Sequence, residues 1–249
     1  MILKDTSAVI TGGTGGLGRR IALKLAQAGV RITLVYLRSK AAAEQFAEEL
    51  TALGPRAVAV KADITTEEGI DVMFARTMEE FGRLDILVNN AAYNRWISFS
   101  DLETLSGEVW SHMINYNLTA PFLAMRAAAP LMRRHSQGRI VNITSGAGLA
   151  PVGSSIAYAT SKAGLIHLSR CMAVALAPEI LVNNVAPGTM TGTRMAEKMS
   201  PEQLEKARLA AALKRVVDKD DVADAVLTLI RTDSITGSTL VVDAGKLYH

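Results

Sequence analysis

The sequence predicts an α/β fold: a doubly wound parallel sheet of about seven strands with helices on both faces. Three observations carry this expectation. Short apolar runs recur along the chain, amphipathic stretches separate them, and a glycine-rich turn joins the first run to the first amphipathic stretch. The runs are residues 7–10, 31–36, 57–61, 84–88, 139–143, 181–185 and 239–242. They are rich in Val, Ile and Leu and alternate little, which suits strands covered on both faces.

The stretches between them read as helices. Residues 16–27 carry Leu17, Ile21 and Leu25, with Ala28 just beyond, on one face. Residues 41–53 set Ala42, Phe46 and Leu50 inward and Glu44, Glu48 and Glu49 outward; residues 67–81 carry Ile70, Met73, Phe74 and Met78. Residues 105–134 are long enough for two helices, because Pro121 can kink one or start another. Residues 156–177 are apolar around most of the helix circumference, the pattern of a core or subunit-interface helix. Strand–helix–strand units cross over right-handedly, and ligands of such sheets bind outside the carboxyl ends of the strands. Function is therefore expected just after the apolar runs.

The 249 residues suit a single domain spanning 1–249. With 49% hydrophobic and 20% charged residues the chain can bury a large core, which excludes disorder as its main state. A net charge of +3 is too small to imply a nucleic-acid partner. The single cysteine, Cys171, excludes an internal disulfide framework, and its apolar neighbours predict a buried, inert thiol. His112, His135, His167 and His249 have no ligand spacing, so no metal is assigned. The N-terminus lacks signal-peptide features, and no window of about 18 apolar residues occurs. No membrane partner is expected, and a cytoplasmic location follows by elimination.

The first strand runs into Thr11-Gly12-Gly13-Thr14-Gly15-Gly16-Leu17-Gly18. Small residues there let the backbone approach a pyrophosphate, while the helix start offers free N–H groups and a positive dipole end. Three glycine registers fit: Gly13/Gly15/Gly18, Gly12/Gly16/Gly18 and Gly12/Gly15/Gly18. An NAD-type site has an acid about 20 residues further on, at the end of the second strand. Here that strand ends Tyr36-Leu37-Arg38-Ser39-Lys40 with no acid, and Arg38 and Lys40 can meet a 2′-phosphate with Ser39 adding a hydroxyl. NADP(H) is the preferred cofactor on this reading, with NAD(H) as the alternative. After the third run, Asp63 can accept from an adenine amino group or cap the next helix, and Ile64 follows it. After the fourth, Asn89-Asn90-Ala91-Ala92 permits close backbone approach, and Asn89 can tie neighbouring strands together.

Tyr158 and Lys162 sit four residues apart near the start of the 156–177 helix, so phenol and ammonium share one face. A lysine cation beside a tyrosine favours the phenolate, lowering a pKa that starts at about 10 and making Tyr158 a usable proton donor or acceptor. Ser145, at the carboxyl end of the 139–143 strand, lies 13 residues before Tyr158, enough for a loop returning to the same edge.

Over nearly its whole length the chain resembles the short-chain dehydrogenase/reductase family, which builds Rossmann-like NAD(P)-binding catalytic domains. In the TGxxxGxG branch the resemblance selects Gly12, Gly16 and Gly18, and it implies dinucleotide contacts at Thr14, Leu17, Asn90, Ala91, Pro187, Gly188 and Thr189. NNAG appears with Ala92 in its last place, which slightly crowds the ribose on the nicotinamide side. The closing VDGG appears as Val242-Asp243-Ala244-Gly245. The catalytic set implied is Asn117, Ser145, Tyr158 and Lys162. Tyr158 would protonate a carbonyl oxygen that Ser145 holds, Lys162 would bind the ribose hydroxyls of the nicotinamide, and Asn117 would order a water that links Lys162 to solvent.

Residues 189–214 carry Met190, Met195, Met199, Leu204 and Leu209 among charges and read as a substrate lid; residues 93–99, with Tyr93, Trp96 and Phe99, supply another wall. Within the family the chain looks most like the 3-oxoacyl-(acyl-carrier-protein) reductases. That likeness implies an acyl-thioester or other small-molecule substrate and docking of an acidic carrier protein, for which Arg133, Arg134, Arg139, Arg194, Lys198 and Arg208 are candidates. Many such reductases have an arginine midway along the helix after the tyrosine, where this chain has Val174. A ketone, polyol or sugar dehydrogenase of the same family, and a dinucleotide sensor without turnover, are the competing readings. The family's usual pairing of the 156–177 helix and the long helix before it across two-fold axes implies a homotetramer.

Overall fold

The computed structural model describes residues 1–193 and 196–247, so Arg194, Met195 and His249 lie outside the described residues. Within them, seven strands form one parallel sheet in the order β3-β2-β1-β4-β5-β6-β7. The strands are β1 (Ser7–Thr11), β2 (Arg31–Tyr36), β3 (Ala57–Lys61), β4 (Ile86–Asn89), β5 (Gly138–Ile143), β6 (Ile180–Pro187) and β7 (Thr239–Val242). All seven expected runs are present, with ends shifted by up to two residues. The end of β6 and the start of β4 shift by two; at β4 Asp85 is wholly buried, its carboxylate takes the Ser7 N–H at 2.8 Å, and regular pairing begins only at Ile86.

Two cores flank the sheet. On one face α1 (Gly16–Gln27) and α2 (Lys40–Thr51) cover β1 to β3 and α8 (Lys219–Arg231) covers β5 to β7, with Leu17, Ile21, Phe46, Leu50, Val226 and Ile230 buried between. On the other, α3 (Glu67–Phe81), α5 (Ala120–Arg133) and α6 (Ile156–Leu176) bury Met73, Phe74, Met125, Met132, Ala173 and Leu176. In α2 the inward alanines are Ala43 and Ala47; Ala42, expected in the core, faces solvent.

The long stretch before β5 is a continuous helical rod. It runs from α4 (Gly107–Ile114) through one π-helical turn at Asn115–Thr119 into α5, with Pro121 in the first turn of α5. A π-turn just ahead of a proline relieves the clash that a proline ring makes with the preceding turn. α6 is buried on its sheet side through Tyr158, Lys162, Leu165, Ser169 and Ala173, while Val174 is 82% exposed on the other side. Cys171 also lies on that open side, so the expected buried thiol is corrected to an exposed one. The helix was apolar enough to hide a cysteine on any face, and only its packing decides which face is covered.

Between β6 and α8 come a short turn at Ala196–Lys198 and α7 (Pro201–Ala210), started by a Ser200–Gln203 capping box. Every residue of α7 is exposed or half-buried. Among the described residues no helix is long and apolar enough to cross a membrane.

Candidate active site

Strand order reverses direction between β1 and β4, which opens a crevice at their carboxyl ends. The glycine turn lines it. Gly12 has a positive φ of 62°, and a Cβ there would lie 3.1 Å from the Ala91 Cα. A Cβ on Gly18 would lie 2.3 Å from the Gly12 carbonyl oxygen, and one on Gly16 would lie 2.1 Å from the Gly192 carbonyl oxygen. At Gly15 the nearest atom would be 3.3 Å away. Gly13 is crowded as well, by Leu34 at 2.8 Å and Ile10 O at 3.1 Å, so steric need marks Gly12, Gly13, Gly16 and Gly18, with Gly15 the least crowded of the five. Asn90 latches the turn, its Nδ2 donating to the Thr11 and Gly12 carbonyls at 2.9 and 3.1 Å. α1 starts behind Gly15 with no side-chain cap and no acid in its first turn, so its first amides remain free for an anion. The cradle fits a dinucleotide pyrophosphate.

The other expected dinucleotide contacts ring the same edge. Thr14 is half-buried in the turn, and the side chain of Leu17 belongs to the core, leaving its amide to face the crevice. Arg38, Ser39 and Lys40 are exposed just past β2; Ser39 is left-handed, Lys40 reaches Glu44 at 3.6 Å, and Arg38 has no ion-pair partner among the described residues. The Asp63 carboxylate accepts from the Thr65 N–H and hydroxyl at 2.9 and 2.7 Å. Capping α3 is therefore Thr66's task, not that of Asp63. Ile64 is a core side chain and offers only its backbone. Pro187 ends β6, the Gly188 N–H bonds Val242 O at 2.9 Å, and Thr189 O accepts from Val217 N–H at 2.8 Å.

Ser145, Tyr158 and Lys162 meet beside this crevice. Ser145 follows β5 and caps the turn Gly146–Gly148 by accepting from the Ala147 N–H at 3.1 Å. Ser155 caps α6 by accepting from the Tyr158 N–H at 3.2 Å, which fixes Tyr158 in the first turn. Lys162, one turn on, donates from Nζ to Ile143 O at 2.9 Å and lies 5.8 Å from the Tyr158 ring centre. Both side chains are buried. Burial pushes the Tyr158 phenol up to about 12, opposed by its hydrogen bond with Ser145, and pushes the Lys162 ammonium down to about 8. The expected lowering of Tyr158 by Lys162 is thereby corrected: desolvation of the phenolate outweighs the nearby cation, whose head group is engaged by a carbonyl. In this arrangement Tyr158 holds its proton at neutral pH, as a general acid must.

Asn117 lies in the π-turn and is wholly buried. Its Oδ1 accepts from the Tyr93 N–H at 2.9 Å, and its Nδ2 donates to Tyr93 O at 2.9 Å and to Ser161 Oγ at 3.1 Å. Both amide hydrogens are committed, so the side chain clamps the Tyr93 backbone, and only acceptor capacity remains for a bridging water. The Tyr93 ring packs against the cluster containing Tyr158 and Ala147 and meets His112 edge-on at 4.4 Å. Trp96 is 38% exposed, and the loop is tied to the residues before α6 by Ile97 N–H to Ser154 O at 2.8 Å.

Half of the expected basic fringe, Arg133, Arg134 and Arg139, is not at this edge. α5 runs antiparallel to the strands, so Arg133 and Arg134 at its end lie at the amino edge of the sheet, where Arg133 faces Glu179. Arg139 is buried there, held by Ile230 O, Gly138 O and Asp233. Arg208 is engaged by Glu205, leaving Lys198 exposed near the lid.

Asn89 ties β4 to β5 as expected, and the bond is part of a longer polar ladder that the sequence pattern did not reveal. Asn142 on β5 donates to Ser169 Oγ on α6 at 2.8 Å and accepts from Asn89 on β4 at 2.8 Å. Ser169 Oγ donates to Asn184 Oδ1 on β6 at 2.6 Å, and Asn184 reaches Thr239 on β7 at 3.1 Å. A polar ladder thus runs through the core under the site. Its signal is the asparagines Asn89, Asn142 and Asn184 in otherwise apolar strands, with Ser169 in an apolar helix.

The fold and site define a dinucleotide-dependent oxidoreductase, and comparison with known proteins agrees. The family model for short chain dehydrogenase matches residues 6–204, and the chain belongs to that family. It is 34% identical over 244 residues to the 3-oxoacyl-[acyl-carrier-protein] reductase of Synechocystis sp., covering 96% of each chain. It is 30% identical over 251 residues to glucose 1-dehydrogenase 2 of Bacillus subtilis, covering 99% of this chain and 96% of the other. Among solved structures it matches the Pseudomonas aeruginosa RhlG/NADP active-site complex with a TM-score of 0.89 and 32% identity, covering 98% of this chain and 97% of that one. The protein is an NAD(P)-dependent oxidoreductase.

Lys162 sets a pH signature on stability. Its folded pKa of about 8 lies below its ordinary 10.5, so between those values the unfolded chain holds a proton that the folded chain has released. Unfolding free energy therefore rises with pH across that window. In urea titrations Lys162→Met is expected to remove a rise on the order of 1–3 kcal/mol; equal pH slopes in the two proteins would contradict the assignment.

Proposed function

We propose that residues 1–249 form one catalytic domain that reduces the ketone of a 3-oxoacyl thioester to a hydroxyl, with NADPH preferred over NADH. The observation that carries this reading is the meeting of Ser145, Tyr158 and Lys162 in one buried corner beside the glycine cradle. When bound, the dinucleotide supplies the hydride to the carbonyl carbon. Ser145 holds the carbonyl oxygen, and Tyr158 gives its phenolic proton to that oxygen as negative charge develops there. Lys162 binds the ribose hydroxyls and keeps positive charge near the phenol. Asn117, by gripping Tyr93, shapes the wall facing Tyr158; its amide hydrogens are committed, and it would serve the relay as an acceptor for a water that Lys162 binds.

Arg38, exposed and without an ion-pair partner among the described residues where an NAD-type site has an acid, supports the NADPH preference. The full-length likeness to a 3-oxoacyl reductase supports the thioester. The second reading, a ketone or sugar dehydrogenase, gains from the glucose dehydrogenase likeness. It also gains from the place of Arg133, Arg134 and Arg139 away from the cleft, and from the exposed Val174 where a docking arginine is usual. Carrier-protein docking is accordingly the weakest part of the first reading. The segment 189–214 is assigned as the lid, and the open side of α6, with Val174 and Cys171, as a face that a homotetramer would cover.

Initial rates with 3-oxoacyl thioesters, simple ketones and sugars test the reading. Tyr158→Phe is expected to lower kcat by about 10²–10⁴-fold while dinucleotide binding is kept; a Phe variant with full turnover would overturn the assignment of the acid. Arg38→Ala is expected to lower kcat/KM for NADPH by at least about tenfold with little change for NADH. A wild-type preference for NADH would contradict the cofactor reading.

A further inference from the structure

The chain beyond β7 folds back on itself. Ala244 and Gly245 are both left-handed, with φ of 59° and 75°. Such a conformation is strained for alanine, and the surrounding bonds must hold it. Asp243 does so. Its buried carboxylate accepts three main-chain N–H groups that follow it: Gly245 at 2.9 Å and Lys246 at 3.1 Å on Oδ1, and Leu247 at 2.8 Å on Oδ2.

This turn touches two parts of the site. Toward the lid, Gly245 O accepts from the Ala212 N–H at 3.0 Å and Ala244 O from the Leu213 N–H at 3.1 Å, which secures the chain leaving α7. Toward the catalytic corner, Leu247 lies against Gly146: a Cβ on Gly146 would be 3.2 Å from Leu247 Cδ1. Gly146 follows Ser145 and opens the turn that the Ser145 hydroxyl caps. Leu247 is half-buried, so part of its side chain remains open beside that turn.

We propose that Leu247 is a specificity-determining wall of the substrate pocket, held beside Ser145 by the Asp243 turn, and that the same turn anchors the far end of the lid. This rests on the reading of Ser145 as the group that holds the substrate oxygen. The ligand it would sense is the apolar substituent on the carbonyl, the acyl chain of a thioester or the alkyl arm of a ketone. The branched side chain limits the room next to Ser145, and a cavity of about 230 Å³ bordered by Leu213, Val217, Val242 and Ala244 leaves the turn dependent on its carboxylate staple for its position.

Initial rates of wild type, Leu247→Ala and Leu247→Trp on a ladder of 3-oxoacyl thioesters of rising chain length test this. The Ala variant is expected to raise the long-to-short ratio of kcat/KM by about tenfold, carried by the substrate KM, and the Trp variant to lower it. An unchanged ratio in both would overturn the proposal. A wild type that reduces no carbonyl would overturn the proposed function instead, and amide hydrogen exchange then decides. Leu247→Ala is expected to speed exchange at Ala147 and Gly148, and Asp243→Asn at Ala212 and Leu213, by at least about tenfold; unaltered exchange at these amides would overturn the packing on which the proposal stands.

Discussion

Everything at the site depends on where α6 sits along its own axis. Apolar contact alone does not decide this, because hydrophobic burial is non-directional and α6 is apolar around most of its surface. Ser169 supplies the missing direction. It is hydrogen-bonded to Asn142 on β5 and Asn184 on β6, and the ladder continues to β4 and β7. Ser169 Oγ also lies 2.7 Å from Leu165 O within α6, but the Asn142 and Asn184 amides find that hydroxyl at one register only, so sliding or rotating the helix would leave them unpaired at about 1–3 kcal/mol each. Ser169 shares its buried face with Lys162 and Tyr158. Fixing it brings the Lys162 ammonium to Ile143 O and the phenol to Ser145.

The same burial that permits register control sets the chemistry. Two ionisable groups in a dry corner both resist charge, so the phenol keeps its proton and the ammonium gives its proton up more readily. A neutral phenol is the form that can protonate a developing alkoxide. The glycine turn on the other side of the corner is open by contrast: small residues, free helix-start amides and an exposed arginine at its rim. One half of the site is built to receive charge and the other to exclude water.

Much of this was legible in the residues. The strands announced themselves because a central parallel strand is apolar on both faces, and the glycine turn because backbone crowding leaves no room for a side chain. Tyr158, Lys162 and Ser145 could be placed by helix spacing and by the rule that function sits at the carboxyl edge. What was not legible needed the third dimension. Arg133 and Arg134 belong to the opposite edge because α5 runs against the strands, a fact of topology, whereas Arg139 lies there because it is at the start of β5. The exposed Cys171 and the inward Ala43 depend on which face of a uniformly apolar or alanine-rich helix is covered. The grip of Asn117 on Tyr93 joins residues that no sequence pattern links. The direction of the Tyr158 shift required knowing that the phenol is buried and that the lysine head group is already engaged.

The account stands on the polar pin beneath α6. Its most direct test is the kcat of carbonyl reduction measured alongside thermal unfolding for Ser169→Ala and Ser169→Thr. The account predicts a loss of at least about tenfold in kcat for the Ala variant at temperatures where it remains folded, with KM for the dinucleotide little changed and most of the loss restored by the Thr hydroxyl. Full kcat in a folded Ala variant would contradict it, since the helix would then hold Tyr158 in place without the pin.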